Sequence, residues 1–170
     1  MKVLIISDSH GLTDELVEIK KRHINEVEAI IHCGDSELND GAEQIQDMLI
    51  VKGNCDFLGN FPNEIIETIG TYRFFITHGH LYSVKTTLMK LKYRAEEAQA
   101  NIVCFGHSHI AGVELVDGTL FINPGSIFLP RMRNEKTYAI LELMNGQAIV
   151  DFYNLHGEKI SNLSTKFQFA

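Results

Sequence analysis

Up to residue 105, the chain alternates short apolar runs with polar segments. Each run has three or four consecutive apolar residues, and in one of them His32 follows the third; such runs are typical of strands that are buried on both faces of a sheet. These runs are residues 3–6, 29–33, 49–51 and 102–105. The sequence therefore predicts four buried strands in an α/β protein.

Helical spacing of apolar residues predicts three helices between these strands. The pattern over 15–23 begins at Thr13 or Asp14, and either residue can cap a helix N-terminus. Residues 40–48 predict a short helix. The longest pattern, over 83–100, repeats apolar residues every three or four positions and so predicts one apolar stripe that packs on a sheet.

The last third of the chain changes to a period of two, which predicts antiparallel strands. Asp117-Gly118 and Asn145-Gly146 interrupt this pattern, and such dipeptides are strong signals of hairpin turns. A further hairpin is predicted over 64–77. This order predicts an α/β fold in which two central β-sheets are sandwiched between helices.

Length and composition place the chain among globular proteins. It has 170 residues, of which 45% are hydrophobic and 22% charged. Because one domain averages roughly 150 residues, we expect a single domain over 1–170. The formal net charge of −7 argues against general nucleic-acid binding, which needs an excess of Lys and Arg.

The cysteines and the apolar runs indicate the cellular compartment. Cys33, Cys55 and Cys104 form no CxxC pair, and their odd number disfavours a disulfide framework. No apolar run approaches the ~20 residues that span a bilayer. The N-terminal run is also too short for the core of a signal peptide. We therefore expect a cytoplasmic protein that does not associate with membranes.

Polar side chains with metal-binding chemistry follow the buried strands. Ligands of α/β proteins bind at the carboxyl ends of strands, and Asp, Asn and His all bind divalent transition metals. Residues two apart in extended chain point to the same side, so Asp-x-His or His-x-His can hold one ion. Five motifs that contain Asp, Asn or His, each directly after a predicted strand, predict a metal centre. They are Asp8-Ser9-His10, Gly34-Asp35, Gly53-Asn54-Cys55-Asp56, His78-Gly79-His80 and Gly106-His107-Ser108-His109.

Together these motifs resemble the signature of the calcineurin-like metallophosphoesterases, in particular their compact bacterial and archaeal phosphodiesterases. The resemblance implies hydrolysis of phosphodiesters by a hydroxide that bridges two divalent ions. Manganese is the first choice of metal, with iron, zinc, cobalt or nickel as alternatives. The implied ligands are Asp8, His10 and His109 for one ion, Asn54, His78 and His107 for the other, and Asp35 as the bridge.

One position departs from the family pattern. The family often has a His directly after the metal-binding Asn, where it can protonate the leaving group, but this chain has Cys55. A thiol with a pKa of about 8.5 is a poor substitute for imidazole. Asp56 and His80 are then the candidate proton donors, and aryl or otherwise activated diesters are expected to react better than alkyl monoesters. The candidate catalytic residues are therefore Asn54, Cys55, Asp56, His78 and His80.

Two further segments carry weaker candidates. Ser126 follows another strand and Arg131 comes shortly after it, so each is a candidate for contacting the substrate. Phe167 and Phe169 alternate with polar residues near the C-terminus. They predict either packing on the body of the protein or an edge strand that supports a homo-oligomer.

Two alternatives to a small-molecule phosphodiesterase stay open. One is a metal-binding or protein-binding scaffold of the same fold with little or no turnover, as in the retromer subunit that shares this fold. The filled ligand positions favour an enzyme, whereas the missing imidazole at Cys55 keeps the scaffold open. The other is a nuclease or cyclic-nucleotide phosphodiesterase, because loops around the site set the substrate.

Overall fold

Eleven strands and two α-helices are present in residues 1–169, which the computed structural model describes. The helices are α1 (Asp14–His23) and α2 (Met89–Glu97). In chain order, the strands are β1 (Lys2–Ile6), β2 (Ala29–His32), β3 (Met48–Ile50), β4 (Glu64–Ile69), β5 (Tyr72–Thr77), β6 (Ile102–Cys104), β7 (Gly112–Val116), β8 (Thr119–Asn123), β9 (Tyr138–Met144), β10 (Gln147–Tyr153) and β11 (Thr165–Gln168).

The strands form two mixed sheets. The first has the order β11-β10-β9-β1-β2-β3, in which β1, β2 and β3 are parallel. The second has the order β4-β5-β6-β8-β7, in which β5, β6 and β8 are parallel. Each sheet therefore offers the carboxyl ends of three parallel strands, where ligands of α/β proteins bind.

The core lies mainly between the two sheets. Val3 and Ile5 of β1 belong to the cluster that also holds Phe74 and Ile76 of β5. The alternate residues of a strand face the opposite side, so Leu4 of β1 instead belongs to the cluster with α1. Helix α2 covers the outer face of the second sheet in the same way. The order of layers is helix, sheet, sheet, helix, which confirms the predicted sandwich.

Two of the predicted helices are shorter than the sequence pattern indicates. The segment 40–48 forms only a 3-10 turn at Glu43–Ile45, because it buries a single apolar side chain, that of Ile45. The pattern over 83–100 becomes α2, which begins at Met89. Ser83 has a left-handed backbone (φ 56°), which a right-handed helix cannot include.

The turns and the first helix follow the sequence closely. Hairpins join β4 to β5, β7 to β8 and β9 to β10, the last two with turns at Asp117-Gly118 and Asn145-Gly146. Thr13 occupies the N-cap position of α1, although its side chain makes no capping hydrogen bond. Within residues 1–169, no helix is long and apolar enough to cross a bilayer.

The C-terminal strand lies at an edge of the first sheet. Among the residues that the structure describes, β11 pairs only with β10, in the antiparallel direction. Phe169 is buried and stacks on Tyr72 of the second sheet, with 5.5 Å between ring centroids. The C-terminal aromatic residue therefore packs on the body of the protein, as one of the two predicted alternatives requires.

Candidate metal centre

Both sheets contribute to one cluster of polar side chains at the carboxyl ends of their parallel strands. The turn after β1 is hydrogen-bonded to the turn after β2: the Asp8 N–H donates to the Gly34 carbonyl (3.0 Å) and the His10 N–H to the Asp35 carbonyl (2.9 Å). The two sheets are linked by the His107 N–H, which donates to Oδ2 of Asp8 (3.1 Å). The site is therefore assembled across the sandwich.

Five of the predicted metal ligands have a left-handed backbone. This conformation is sterically unfavourable for residues with a side chain and is concentrated at functional sites. A left-handed residue changes the direction of the chain, so the side chains that follow a strand no longer alternate as they do within it. The residues and their φ angles are Asp8 (53°), His10 (44°), Asp35 (53°), His107 (67°) and His109 (58°).

Two buried carboxylates lie at the centre of the cluster. Asp8 is completely buried and Asp35 is 2% exposed. Burial alone would raise the pKa of Asp8, but neighbouring His109 and His78 outweigh it and hold that pKa below its usual value. The pKa of Asp35 is also strongly lowered: burial opposes the shift, and His78 supplies the largest favourable interaction. Both carboxylates are therefore ionised at neutral pH.

Three histidines are oriented through their Nδ1 atoms. Each Nδ1 lies within hydrogen-bond distance of an oxygen, so this nitrogen carries the proton and Nε2 is free to bind a cation. Such anchoring of the second ring nitrogen is typical of histidines that bind metals. The pairs are His10 with Oε1 of Glu37 (2.6 Å), His78 with the Cys33 carbonyl (2.7 Å) and His109 with the Leu129 carbonyl (2.6 Å).

The free Nε2 atoms of these histidines face the two carboxylates. His109 Nε2 lies 3.1 Å from Oδ1 of Asp8, and His10 Nε2 lies 4.0 Å from the same atom. His78 Nε2 lies 3.2 Å from Oδ2 of Asp35. Ligand atoms of Asp8, His10 and His109 fall within 4.8 Å of one another, as do those of Asp8, Asp35 and His78.

The second predicted ligand group is only partly assembled in this geometry. Oδ1 of Asn54 lies 3.1 Å from Nε2 of His78. The ring of His107 lies 5.1 Å from that of His78, but His107 is outside the compact groups found among the described residues. Cys55 joins one such group, with His10 and Asp35. Asn54 and His107 thus flank the centre.

One orphaned atom shows that the cluster fits a cation. Oδ1 of Asp8 is buried and accepts no hydrogen bond in the described part of the chain. Nε2 of His109 lies 3.1 Å away, but it has no proton to donate to this oxygen because the ring proton is on Nδ1. An unpaired buried carboxylate oxygen is costly, whereas a divalent ion would satisfy it. Carboxylate oxygens and imidazole nitrogens are suitable ligands for such an ion.

Asp56, a predicted proton donor, lies buried beside the turn that carries Asp35. Its carboxylate is 1% exposed and accepts hydrogen bonds from Ser36 Oγ and three backbone N–H groups. These hydrogen bonds join the turn that follows β2 to the turn that follows β3. The backbone donors are Asp35 (2.8 Å), Glu37 (2.7 Å) and Gly53 (2.7 Å).

Ser126 likewise braces the site, although a substrate contact was predicted for it. It is completely buried, and its hydroxyl donates to the Asp8 carbonyl (2.7 Å). Oγ of Ser126 also accepts hydrogen bonds from the N–H groups of Phe128 (3.1 Å) and Leu129 (2.9 Å). Because Leu129 anchors His109, Ser126 connects the turns that carry two predicted ligands.

His80 and Cys55 are the remaining candidates for proton transfer. The His80 ring lies 5.4 Å from that of His78, and burial together with His78 lowers the pKa of His80. Burial and the charge of Asp35 raise the pKa of the Cys55 thiol to about 11. At neutral pH His80 is therefore mostly unprotonated, and the Cys55 thiol is a weak acid.

A cavity of about 670 Å³ opens beside His107 and His109. Arg131 lines it, and the Arg131 N–H donates to the His109 carbonyl (2.9 Å), so the predicted substrate contact lies next to the centre. Lys85 lines the same cavity and was not among the predicted site residues. The sequence does not place Lys85 there, because its position depends on how the segment before α2 packs on the second sheet.

Comparison with known proteins identifies the family. Residues 1–146 match the model of the calcineurin-like phosphoesterase superfamily domain. The chain is 53% identical over 166 residues to the Bacillus subtilis protein named "Probable metallophosphoesterase YsnB", covering 98% of both chains. It is 31% identical over 147 residues to Phosphodiesterase MJ0936 of Methanocaldococcus jannaschii, covering 74% of this chain and 83% of the relative.

The fold agrees with this assignment. The crystal structure of a conserved protein from Streptococcus pneumoniae TIGR4 superposes with a TM-score of 0.94 at 35% identity. The match covers 98% of this chain and 96% of that chain. Motifs, topology and overall match lead to the same conclusion: this chain belongs to the calcineurin-like phosphoesterase superfamily.

Proposed function

We propose that this protein hydrolyses phosphodiesters at a centre of two divalent metal ions. The orphaned Oδ1 of Asp8, surrounded by imidazole nitrogens, is the observation that carries the proposal. Membership of the superfamily and the resemblance to a named phosphodiesterase support it. Seven side chains with suitable donor atoms converge on or flank this place.

The proposed ligands divide between two ions. Two divalent ions carry a charge of about +4 and two ionised carboxylates return about −2, so the site attracts an anionic phosphate. When bound, such a pair of ions supplies a hydroxide nucleophile at neutral pH and stabilises the charge of the reacting phosphoryl group. One ion would be held by Asp8, His10 and His109, the other by Asn54, His78 and His107, with Asp35 between them.

The residues around the centre favour an activated leaving group. His80 is mostly neutral at neutral pH and the Cys55 thiol is a weak acid, so neither is a strong proton donor. Asp56 is buried, and its carboxylate already accepts four hydrogen bonds. A leaving group that departs as a stable anion needs no proton. We therefore propose aryl phosphodiesters as better substrates than alkyl monoesters, with Arg131 placed to meet a phosphate oxygen.

A metal-reconstitution assay tests the proposal. Protein depleted with a chelator should not hydrolyse bis(4-nitrophenyl) phosphate, and added Mn²⁺ should restore turnover. Replacing a ligand, as in His78→Ala, should lower kcat/KM by at least about 100-fold, since even partners of metal ligands contribute about 10–100-fold. His156→Ala is the matched control, because His156 is exposed and distant in sequence from every motif.

Metal content separates the enzyme from a scaffold. The wild type should bind about two equivalents of metal by elemental analysis, and His78→Ala should bind less. Wild-type protein that retains two metal ions but hydrolyses neither diesters nor monoesters would favour the scaffold. The choice of Mn²⁺ is part of the proposal, and the same assay with iron, zinc, cobalt and nickel compares the candidates.

A further inference from the structure

The cavity beside the centre has an apolar floor. It lies between the segment that precedes α2 and the outer face of the second sheet. Val84 and Leu88 line it from the segment, and Phe105 and Phe121 line it from the sheet. Its volume of about 670 Å³ is in the range of sites that enclose small organic molecules.

One end of this cavity meets the proposed metal centre. His107 and His109 line the cavity and belong to the turn that carries predicted ligands. Asn123 supports that turn, because its side-chain N–H groups donate to the Gly106 carbonyl (3.1 Å) and to Oγ of Ser108 (3.0 Å). A phosphodiester bound at the centre would therefore have one of its organic groups directed into the cavity.

Two uncompensated cations line the cavity. Lys85 and Arg131 are exposed, and neither has a carboxylate oxygen within 4.0 Å in the described part of the chain. Cations without carboxylate partners are available to a ligand that carries negative charge. The phosphate of a diester supplies such a charge.

A carboxylate lines the cavity farther from the centre. On the paired strands β7 and β8, Glu114 lies opposite Phe121 and Gly112 lies opposite Asn123. Two residues along a strand span about 7 Å, so Glu114 is that much farther from the turn that Asn123 supports. An ionised carboxylate only accepts hydrogen bonds, so it suits an N–H or O–H group of a ligand.

We propose that this cavity binds one organic group of the phosphodiester and selects for it. The inference rests on the proposed function and adds the class of substrate. The preferred group is flat and largely apolar, about the size of a nucleoside, with an N–H or O–H donor at its far end. The apolar floor packs on the ring, Lys85 and Arg131 attract the phosphate, and Glu114 accepts the donor.

Two esters with the same leaving group isolate this selectivity. Thymidine 5′-(4-nitrophenyl) phosphate has a nucleoside on the retained side, whereas methyl 4-nitrophenyl phosphate has a methyl group there. In the wild type, kcat/KM for the thymidine ester should exceed that for the methyl ester by at least tenfold. Leu88→Trp fills the cavity and should lower this ratio at least tenfold, and Glu114→Ala should lower it about threefold.

Met89→Trp is the matched control. Met89 is the next residue, is exposed and does not line the cavity, so the same indole added there should leave the ratio unchanged. An equal fall of the ratio in both variants would contradict the proposal. So would a wild-type ratio near one, because the cavity would then have no part in selecting the substrate.

Direct binding decides the matter even if neither ester is hydrolysed. By calorimetry, thymidine 5′-monophosphate should bind the metal-loaded wild type at least tenfold more tightly than methyl phosphate does, and Leu88→Trp should abolish the difference. Equal affinities would overturn the cavity's role. Selective binding without hydrolysis would instead contradict the proposed function and leave the cavity's specificity standing.

Discussion

Left-handed residues occur at both ends of the sheets, but different interactions hold them there. In the hairpins, Asp117 (φ 48°) and Asn145 (φ 52°) precede glycines, and these residue types tolerate the conformation locally. At the candidate metal centre, His10 (φ 44°) instead has its N–H bonded to Asp35, 25 positions away in the sequence, while its ring reaches Glu37. Local preference accounts for the hairpins, and long-range contacts account for the centre.

The hairpins also have free space around their backbone, whereas the turns of the metal centre are crowded. A Cβ added to Gly118 in the β7–β8 hairpin would meet nothing within 4 Å. A Cβ added to Gly106 would collide with Oγ of Ser7 and would lie 2.6 Å from Oδ2 of Asp8. The hairpin can therefore vary with small local effects, whereas the turns of the centre constrain one another.

Loss of the central carboxylate should have the largest effect. Asp35→Ala removes the group that lies between His78 and the Cys55 N–H, and we expect metal content to fall and kcat/KM to drop at least about 100-fold. The matched hairpin change, Asp117→Ala, should leave both quantities at wild-type values. Elemental analysis and steady-state kinetics compare them, and equal metal loss in the two variants would contradict the contrast.

Asp56→Asn should destabilise the fold most strongly among the changes outside the proposed ligands. One oxygen of the carboxylate becomes an amide N–H₂ that faces the backbone donors of Asp35 and Gly53 or of Glu37. Leaving buried donors without an acceptor costs about 1–3 kcal/mol, so urea unfolding should show a loss of about 3 kcal/mol. A loss below about 0.5 kcal/mol would mean that Asp56 does not organise the turns.

The paired glycines give a direct test of crowding. Gly106→Ala should lower the free energy of unfolding by about 2 kcal/mol, because the added methyl group displaces Ser7 and Asp8. It should also weaken metal binding. Gly118→Ala has room but a positive φ (84°), so it should cost about 1 kcal/mol and leave metal binding unchanged. If urea unfolding shows a larger loss of stability for Gly118→Ala than for Gly106→Ala, the contrast between the two regions is contradicted.

The smallest effect is expected at the other hairpin. Asn145→Ala replaces a residue that tolerates φ 52° with one that does not, at a cost of about 1 kcal/mol. The melting temperature should fall by a few degrees, as measured by circular dichroism. Activity measured well below the melting temperature should be unchanged, and a loss there would show that the far hairpin is coupled to the centre.

Much of the architecture was predictable because it depends on short-range patterns. Buried strands, hairpin turns and the position of α1 follow from the periodicity of apolar residues and from turn dipeptides such as Asn145-Gly146. The extent of α2 was not predictable, because Val84 and Leu88, which follow the left-handed Ser83, are held by packing on the second sheet. The residue pattern there is compatible with a longer helix.

The proposed ligands could be recognised from motifs, but the atoms that orient them could not all be. Glu37 follows Asp35 at the same two-residue spacing as His10 follows Asp8, so a signal existed for it. The carbonyl of Leu129, which anchors His109, could not be recognised, because every residue has a backbone carbonyl. Similarly, nothing in the sequence shows that Asp56 and Ser126 are buried within hydrogen-bonded turns.

The amino-acid order alone determined which segments become strands and which polar groups follow them, because alternation and turn chemistry act over a few residues. Only the tertiary structure decided how the ends of two separate sheets meet, which imidazole nitrogen is free, and where a cavity opens beside them. Those properties depend on distances between residues far apart in the chain, and these distances are set when the two sheets pack on their shared core.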